Sequence, residues 1–365
     1  LKVDEINHKI KLIRTMMKDE AMEAVYIKKQ ANYSWLTAGG LNQVGIGSEM
    51  GAFGLLLTMT SLYCVATNIE ATRAKVEERL EEKGFEFLIF SWDDEKGESR
   101  SISSIVSPKS IGSDCGMGKD LNRQIQKLRF SLVDSEIERY RLLGDQVSRS
   151  LEEVLFRVKP GDKECSVIGR LTESLWDHRI DYITIFCASD HRITNFRHPI
   201  ATEKKIEKRV MLGVNARKGG LIVCLTRFLQ FGPVDSQLHK QYRDNVEIDC
   251  RMIEATVPGT PVNEILKLAV REYSRLGYES EYKNHHQGGS IGYQGRDYRV
   301  NFDSPYLVQN NQGFCWNPSI SGTKSEDTIL ATNGTPEFIT HPCSFPTITV
   351  ETETDRYIRP DILSV

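Results

Sequence analysis

A chain of 365 residues is long for one hydrophobic core and points to two domains. It is 39% hydrophobic and 27% charged, as soluble globular proteins are, and its formal net charge of -3 offers no general attraction to nucleic acid or an anionic membrane. Its eight cysteines stand singly with no C-x-x-C pair, which argues against a disulfide framework or structural zinc site and for a reducing cytoplasm.

The opening stretch LKVDEINHKIKLIRTMMKDE is amphipathic and charged, reads as a helix to about residue 19, and lacks the apolar centre of a secretory signal. No later run approaches the roughly 18 apolar residues of a membrane-spanning helix. The apolar runs AVYIKK, GAFGLLLTMT and SLYCVAT are followed by the charged helix ATRAKVEERLEEKG and the run FEFLIF. Alternating strands and helices predict a small α/β domain over residues 1–131. Ser135 and Glu138 then have the S-x-x-E spacing of a helix capping box and open a second domain, 132–365.

In that domain Tyr140, Leu143, Val147, Leu151, Val154 and Val158 recur every three or four residues, the stripe of a long amphipathic helix. KPGDKE stops it, and a second helix runs through Val167, Leu171 and Leu175. The order then returns: a long helix into Pro258-Gly259 and a shorter one, NEILKLAVREYSRLG, closed by Gly277. Helix, Pro-Gly, helix and strands, occurring twice, imply an internal duplication. The glycine-broken runs YITIFCAS, KRVMLGVNARKGGLIVCLTRFLQFG, FCWNPSI and EDTILAT predict long hairpins. Two such halves make a curved sheet backed by helices, an α/β (α+β) architecture with a site in its concave middle.

Within NHHQGGSIGYQGRDY, residues 284–298, His285 and His286 invite a metal, which also needs carboxylates or thiolates from elsewhere. Their plainer reading is a polar structural or substrate-binding role. His198, in the loop NFRHPI, has the near-neutral side chain suited to proton transfer. Arg197, Arg227 and Arg296 are candidates to hold a carboxylate bidentately, or are simply solvated. Asn317 either orients an amide or caps the turn at Pro318, and Cys224 is either a thiolate ligand or an inert buried thiol. The glycines 288, 289, 292 and 295 suit close backbone approach.

The segments NYSWLTAGG, RHPIAT, CLTRFLQFG, NHHQG, WNP and KSEDTIL, in that order, give the chain a resemblance to the pita-bread family of creatinase, prolidase, aminopeptidase P and methionine aminopeptidase over nearly its whole length. The resemblance implies a small creatinase-like N-terminal domain and a pita-bread domain with a pseudo-twofold duplication. Metal-dependent members bind two divalent ions through two Asp, one His and two Glu. Those positions fall here on Gly213, Cys224, His285, Asn317 and Glu326, or on Gly289 for the histidine if GSIG is aligned instead. Only His285 and Glu326 keep a ligand type, so the expectation is a site without metal or other cofactor.

The resemblance further implies His198 and Glu326 as the catalytic residues, His198 transferring protons and Glu326 gripping the substrate as in creatinase, with His285, His286, Arg296, Asn317 and Arg227 binding substrate. The function implied is metal-independent hydrolysis of a C–N bond in a small charged amide, amidine or amino-acid derivative. A degenerate metallo Xaa-Pro peptidase, with one ion on His285, Glu326 and Cys224, and a non-catalytic binding module are the alternatives. A small-molecule substrate and a homodimer are the partners expected, with no nucleic acid and no membrane.

Overall fold

The computed structural model describes residues 2–365 and divides into two units, one running to Arg129 and including Gly219–Leu221, the other comprising Phe130–Lys218 and Ile222–Val365. Among the described residues no helix is long and apolar enough to cross a membrane.

The first unit contains α1 (Lys2–Asp19), β1 (Ala24–Lys29), α2 (Gln30–Leu36), β2 (Met50–Thr58), β3 (Leu62–Thr67), α3 (Ala71–Val76), β4 (Glu86–Phe90), α4 (Gly97–Ser103), β5 (Ile111–Ser113), β6 (Lys119–Asp120) and α5 (Asn122–Leu128). Its sheet has the order β4-β3-β2-β1-β5-β6, antiparallel through β3-β2-β1 and parallel at β3-β4, β1-β5 and β5-β6. The central strand β1 buries Ala24, Val25, Tyr26 and Ile27 in succession, as a strand covered on both faces must. The charged helix expected over ATRAKVEERLEEKG stops at Val76, and Arg79 takes a left-handed φ of 52°. Continuing it would stack Glu77 on Glu81 and Glu78 on Glu82, like charges one helical turn apart.

The second unit begins with α6 (Asp134–Arg157), α7 (Glu164–Asp177), β7 (Asp181–Ser189), α8 (His191–Asn195), β8 (Arg209–Lys218) and β9 (Leu221–Gln230). The order returns with α9 (Ser236–Glu254), α10 (Val262–Arg275), β10 (Gly288–Ser290), β11 (Tyr298–Arg299), β12 (Gln312–Trp316), β13 (Ser319–Ile320), β14 (Thr323–Lys324), β15 (Asp327–Ala331) and β16 (Glu337–Phe338). The chain closes with β17 (Thr347–Glu351), β18 (Arg356–Pro360) and β19 (Leu363–Ser364). Both long helices end in the same turn: Gly161 and Gly259, each after a proline, have φ of 89° and 91°, a conformation that costs only glycine nothing.

The strands form a four-stranded sheet, β19-β9-β8-β7, and a five-stranded one, β11-β10-β12-β15-β16. Hydrogen bonds between β9 and β15 and its lead-in join them: Cys224 N donates to Thr328 Oγ1 (2.7 Å), Thr328 Oγ1 to Cys224 O (2.9 Å), and Thr226 N to Glu326 O (3.1 Å).

Tyr140, Leu143, Val147, Leu151, Val154 and Val158 are buried, as their spacing predicts. The cap of α6 differs from expectation. Val133 N donates to Glu136 Oε2 (2.9 Å), so Glu136 rather than Glu138 closes the first turn. Glu136 is buried and also accepts from the Tyr293 hydroxyl (2.6 Å), which holds it in place. At Gly144 the helix backbone meets residue 339: an added Cβ would stand 1.9 Å from Ile339 O. Gly144→Ala should therefore destabilise the protein by about 1–3 kcal/mol despite alanine's better helix propensity, read as a lowered urea midpoint with unchanged slope.

Candidate active site

Successive side chains of a strand point to opposite faces, and this sorts the polar residues at the sheet junction. Every residue of β9 is buried. On one face Thr226 Oγ1 donates to Glu326 Oε2 (2.6 Å), and Lys324 Nζ donates to the same oxygen (2.6 Å). Arg296 Nη2 lies 3.6 Å from Glu326 Oε1, and Arg296 Nη1 lies 3.9 Å from Cys224 Sγ. Cys315 Sγ completes the surround, 3.7 Å from Glu326 Oε1. Burial alone would raise the Glu326 carboxyl, but the Lys324 ammonium, the Arg296 guanidinium and the hydrogen bonds from Lys324 and Thr226 hold it down at about 2. Burial pushes the Cys315 thiol well above its usual range, so it stays neutral.

On the other face Arg227, wholly buried, donates to Asp327 Oδ1 (2.9 Å), whose second oxygen takes Arg359 (3.1 Å). The expected substrate contact of Arg227 is not met by this placement: alternation turns it away from Glu326 into a structural ion network with Asp327, Arg359 and Asp249.

Beside the Glu326 cluster stand three imidazoles. His198 is exposed in the loop between α8 and β8; His285 and His286 lead into β10. His198 Nε2 and His285 Nε2 are 3.0 Å apart, and the His285 and His286 rings stack at 4.3 Å with 27° between their planes. Burial, then the Lys324 charge and the neighbouring imidazoles, lowers His285 to about 2. Burial, then Arg296 and Arg299, lowers His286 to about 3. His198 is lowered by its partial burial and by Lys324, against the opposing pull of Glu326. All three rings are thus neutral near pH 7. The glycines after them serve strand packing: a Cβ on Gly288, at φ 110°, would stand 2.3 Å from Cys315 O on β12.

His198, His285 and His286 therefore come together, with Glu326 and Arg296 alongside. Asn317 is buried; its N–H donates to Gln287 O (3.1 Å), and its Oδ1 has no partner among the described residues. Arg197 braces the histidine loop, donating to Glu281 Oε2 (3.1 Å) and Ser321 Oγ (2.7 Å). Lys324 and Thr226 escaped the sequence reading. For Lys324 the signal was its spacing from Glu326, two residues apart and hence on one face of an extended chain; the contact of Thr226 is tertiary and left none.

Glu326 sets a pH-dependent contribution to stability. With its carboxyl at about 2 against an ordinary 4.5, the contribution is complete above about pH 4.5 and disappears as pH falls towards 2. Glu326→Gln, which leaves Lys324 and Arg296 without their counter-charge, should cost about 3–5 kcal/mol near pH 7. In urea unfolding the gap between wild type and variant should narrow from pH 4.5 to pH 2.

Residues 138–333 match the model of Metallopeptidase family M24. An uncharacterized peptidase of Staphylococcus aureus (strain USA300) is 24% identical over 231 residues, 61% of this chain; the match spans 66% of that relative's length. Among solved structures, a prolidase from Thermococcus sibiricus superposes with a TM-score of 0.80 at 16% identity, covering 98% of both chains. The N-terminal domain of FACT complex subunit SPT16 from Cicer arietinum gives 0.71 at 13% identity, covering 94% of this chain and 97% of that one. At these identities the structural matches speak for the fold alone. With its pita-bread fold, its repeated helix pairs and the family match across the second unit, the chain belongs to metallopeptidase family M24.

Proposed function

We propose that this member of the family is a metal-independent hydrolase of a C–N bond in a small charged amide, amidine or amino-acid derivative. The observation that carries this reading is the occupancy of Glu326: Lys324, Thr226 and Arg296 already take both carboxylate oxygens.

The family name implies a metal, and the donors here do not fit a pair of divalent ions. Such ions need bridging carboxylates and hard oxygen or imidazole ligands. The corresponding positions supply no side chain at Gly213, a thiol at Cys224 and an amide at Asn317. A Cβ on Gly213 would stand 2.7 Å from Thr226 Oγ1, so the space an aspartate needs there is already taken. The single ion imagined on His285, Glu326 and Cys224 fares no better: among the described residues neither Glu326 nor Cys224 belongs to a cluster of three potential ligands.

In this reading His198 accepts a proton from the attacking water and returns it to the leaving nitrogen. Its contact with His285 requires one ring to donate and the other to accept, which fixes complementary tautomers. Lys324 and Arg296 outnumber Glu326 by one positive charge in buried surroundings, which favours a substrate bearing a carboxylate. Glu326 works through the cations that it holds, where the resemblance to creatinase had it gripping a cationic group directly. Preorganised donors then stabilise the charge that develops on the attacked group.

A thermal-shift screen in chelator, over amino-acid derivatives, guanidino compounds and Xaa-Pro dipeptides, should yield a carboxylate-bearing hit that is turned over without added metal. His198→Ala should lower kcat on that hit by about 10²–10⁴-fold with little change in KM. Turnover that requires added manganese or zinc, or that is indifferent to His198→Ala, would overturn the reading.

A further inference from the structure

We propose that His198, His285 and His286 form a site for one transition-metal ion of the zinc type, built from imidazoles alone and distinct from any carboxylate-bridged pair. One ligand atom from each ring lies within 4.8 Å of the other two. A tetrahedral ion with bonds of about 2.0–2.1 Å spaces its ligand nitrogens about 3.3 Å apart. His198 Nε2 and His285 Nε2, at 3.0 Å, are already near that spacing. The third nitrogen, on the half-buried His286, lies within 4.8 Å of the other two and closes to that spacing by rotation of its side chain.

Two further observations mark a built site. The Nδ1 atom of His286 is buried and has no hydrogen-bond partner among the described residues, a cost that an ion bound to that nitrogen offsets. The backbone carrying both rings is pinned by the buried Gln287, whose amide donates to His285 O (2.7 Å) and Tyr282 O (3.0 Å) and accepts from Tyr273 (3.0 Å). A fixed pair of inner ligands with one exposed outer ligand gives the ion an entry from solvent through His198. Lys324, Arg296 and Arg299 face the same rings and oppose a cation, with Glu326 offsetting one of them. The ion consequently recruits an anion as its fourth ligand, and removing a neighbouring cation tightens its binding.

An ion bound here takes the lone pair of His198 and so withdraws the proton-transfer group. This inhibitory consequence rests on the hydrolase reading; the binding itself does not. The test is cobalt(II) titration of the full chain followed by visible absorption, with zinc competition and equilibrium dialysis, and no substrate present. We expect one cobalt per chain with the intense absorption of a four-coordinate ion, displaced by zinc. Affinity should fall at least tenfold in His198→Gln and in His286→Gln, and rise in Lys324→Met. His341→Gln, in the separate cluster of Asp145, His341 and Cys343, should leave binding unchanged. Because His198 is exposed, His198→Gln folds normally, which a thermal melt checks. The absence of cobalt uptake, uptake indifferent to both site histidines, or its loss in His341→Gln would overturn the site. Zinc that binds at His198 yet leaves turnover undiminished would overturn only the inhibitory consequence.

Discussion

An ionised carboxylate buried among strands must be surrounded by positive charge and hydrogen-bond donors, because solvent no longer stabilises it. Glu326 imposes this condition on the centre of the second unit. Lys324 reaches it from two residues earlier, Arg296 from the loop between β10 and β11, and Thr226 from β9. Three segments distant in sequence are thereby held around one charge. The imidazoles of His198, His285 and His286 stand in the resulting positive field and are neutral for that reason as well as for their burial.

The same seam separates structure from chemistry through strand alternation alone. Thr226 and Glu326 face one way, Arg227 and Asp327 the other, so neighbouring residues belong to different networks. On the second face Asp327 lies between Arg227 and Arg359, and Asp249 shares Arg359, which ties β9, β15, β18 and α9 together without involving the histidines. Such a buried network adds modestly to stability while intact and costs a great deal when one partner is removed. It anchors the scaffold behind the site, and the polar groups in front remain available for a ligand.

Much of this was legible in the sequence. The stripe from Tyr140 to Val158, the two Pro-Gly turns and the glycine-broken strand runs depend on local periodicity and on the special conformations of glycine, so they survive without any knowledge of tertiary contacts. The histidine at 198 and the pair at 285 and 286 were visible as residues with suitable chemistry. Pairing was not visible, because it is decided by contacts between segments far apart. Arg227 and Arg296 look alike in sequence, yet one is turned behind the sheet and the other in front. The cap of α6 fell on Glu136 because Tyr293, distant in the chain, fixes that carboxylate. Lys324, which matters most to Glu326, opens the segment KSEDTIL, yet nothing local says that its ammonium turns to that carboxylate.

Two side-chain cations, Lys324 and Arg296, surround Glu326 in the site proposed to work without metal. Anomalous diffraction from crystals grown in excess manganese addresses that proposal most directly, since manganese favours carboxylate oxygen. Glu326 should remain bonded to Lys324 and Thr226, with no manganese peak at its carboxylate. A pair of manganese ions bridged by Glu326, with Lys324 displaced, would contradict the proposal.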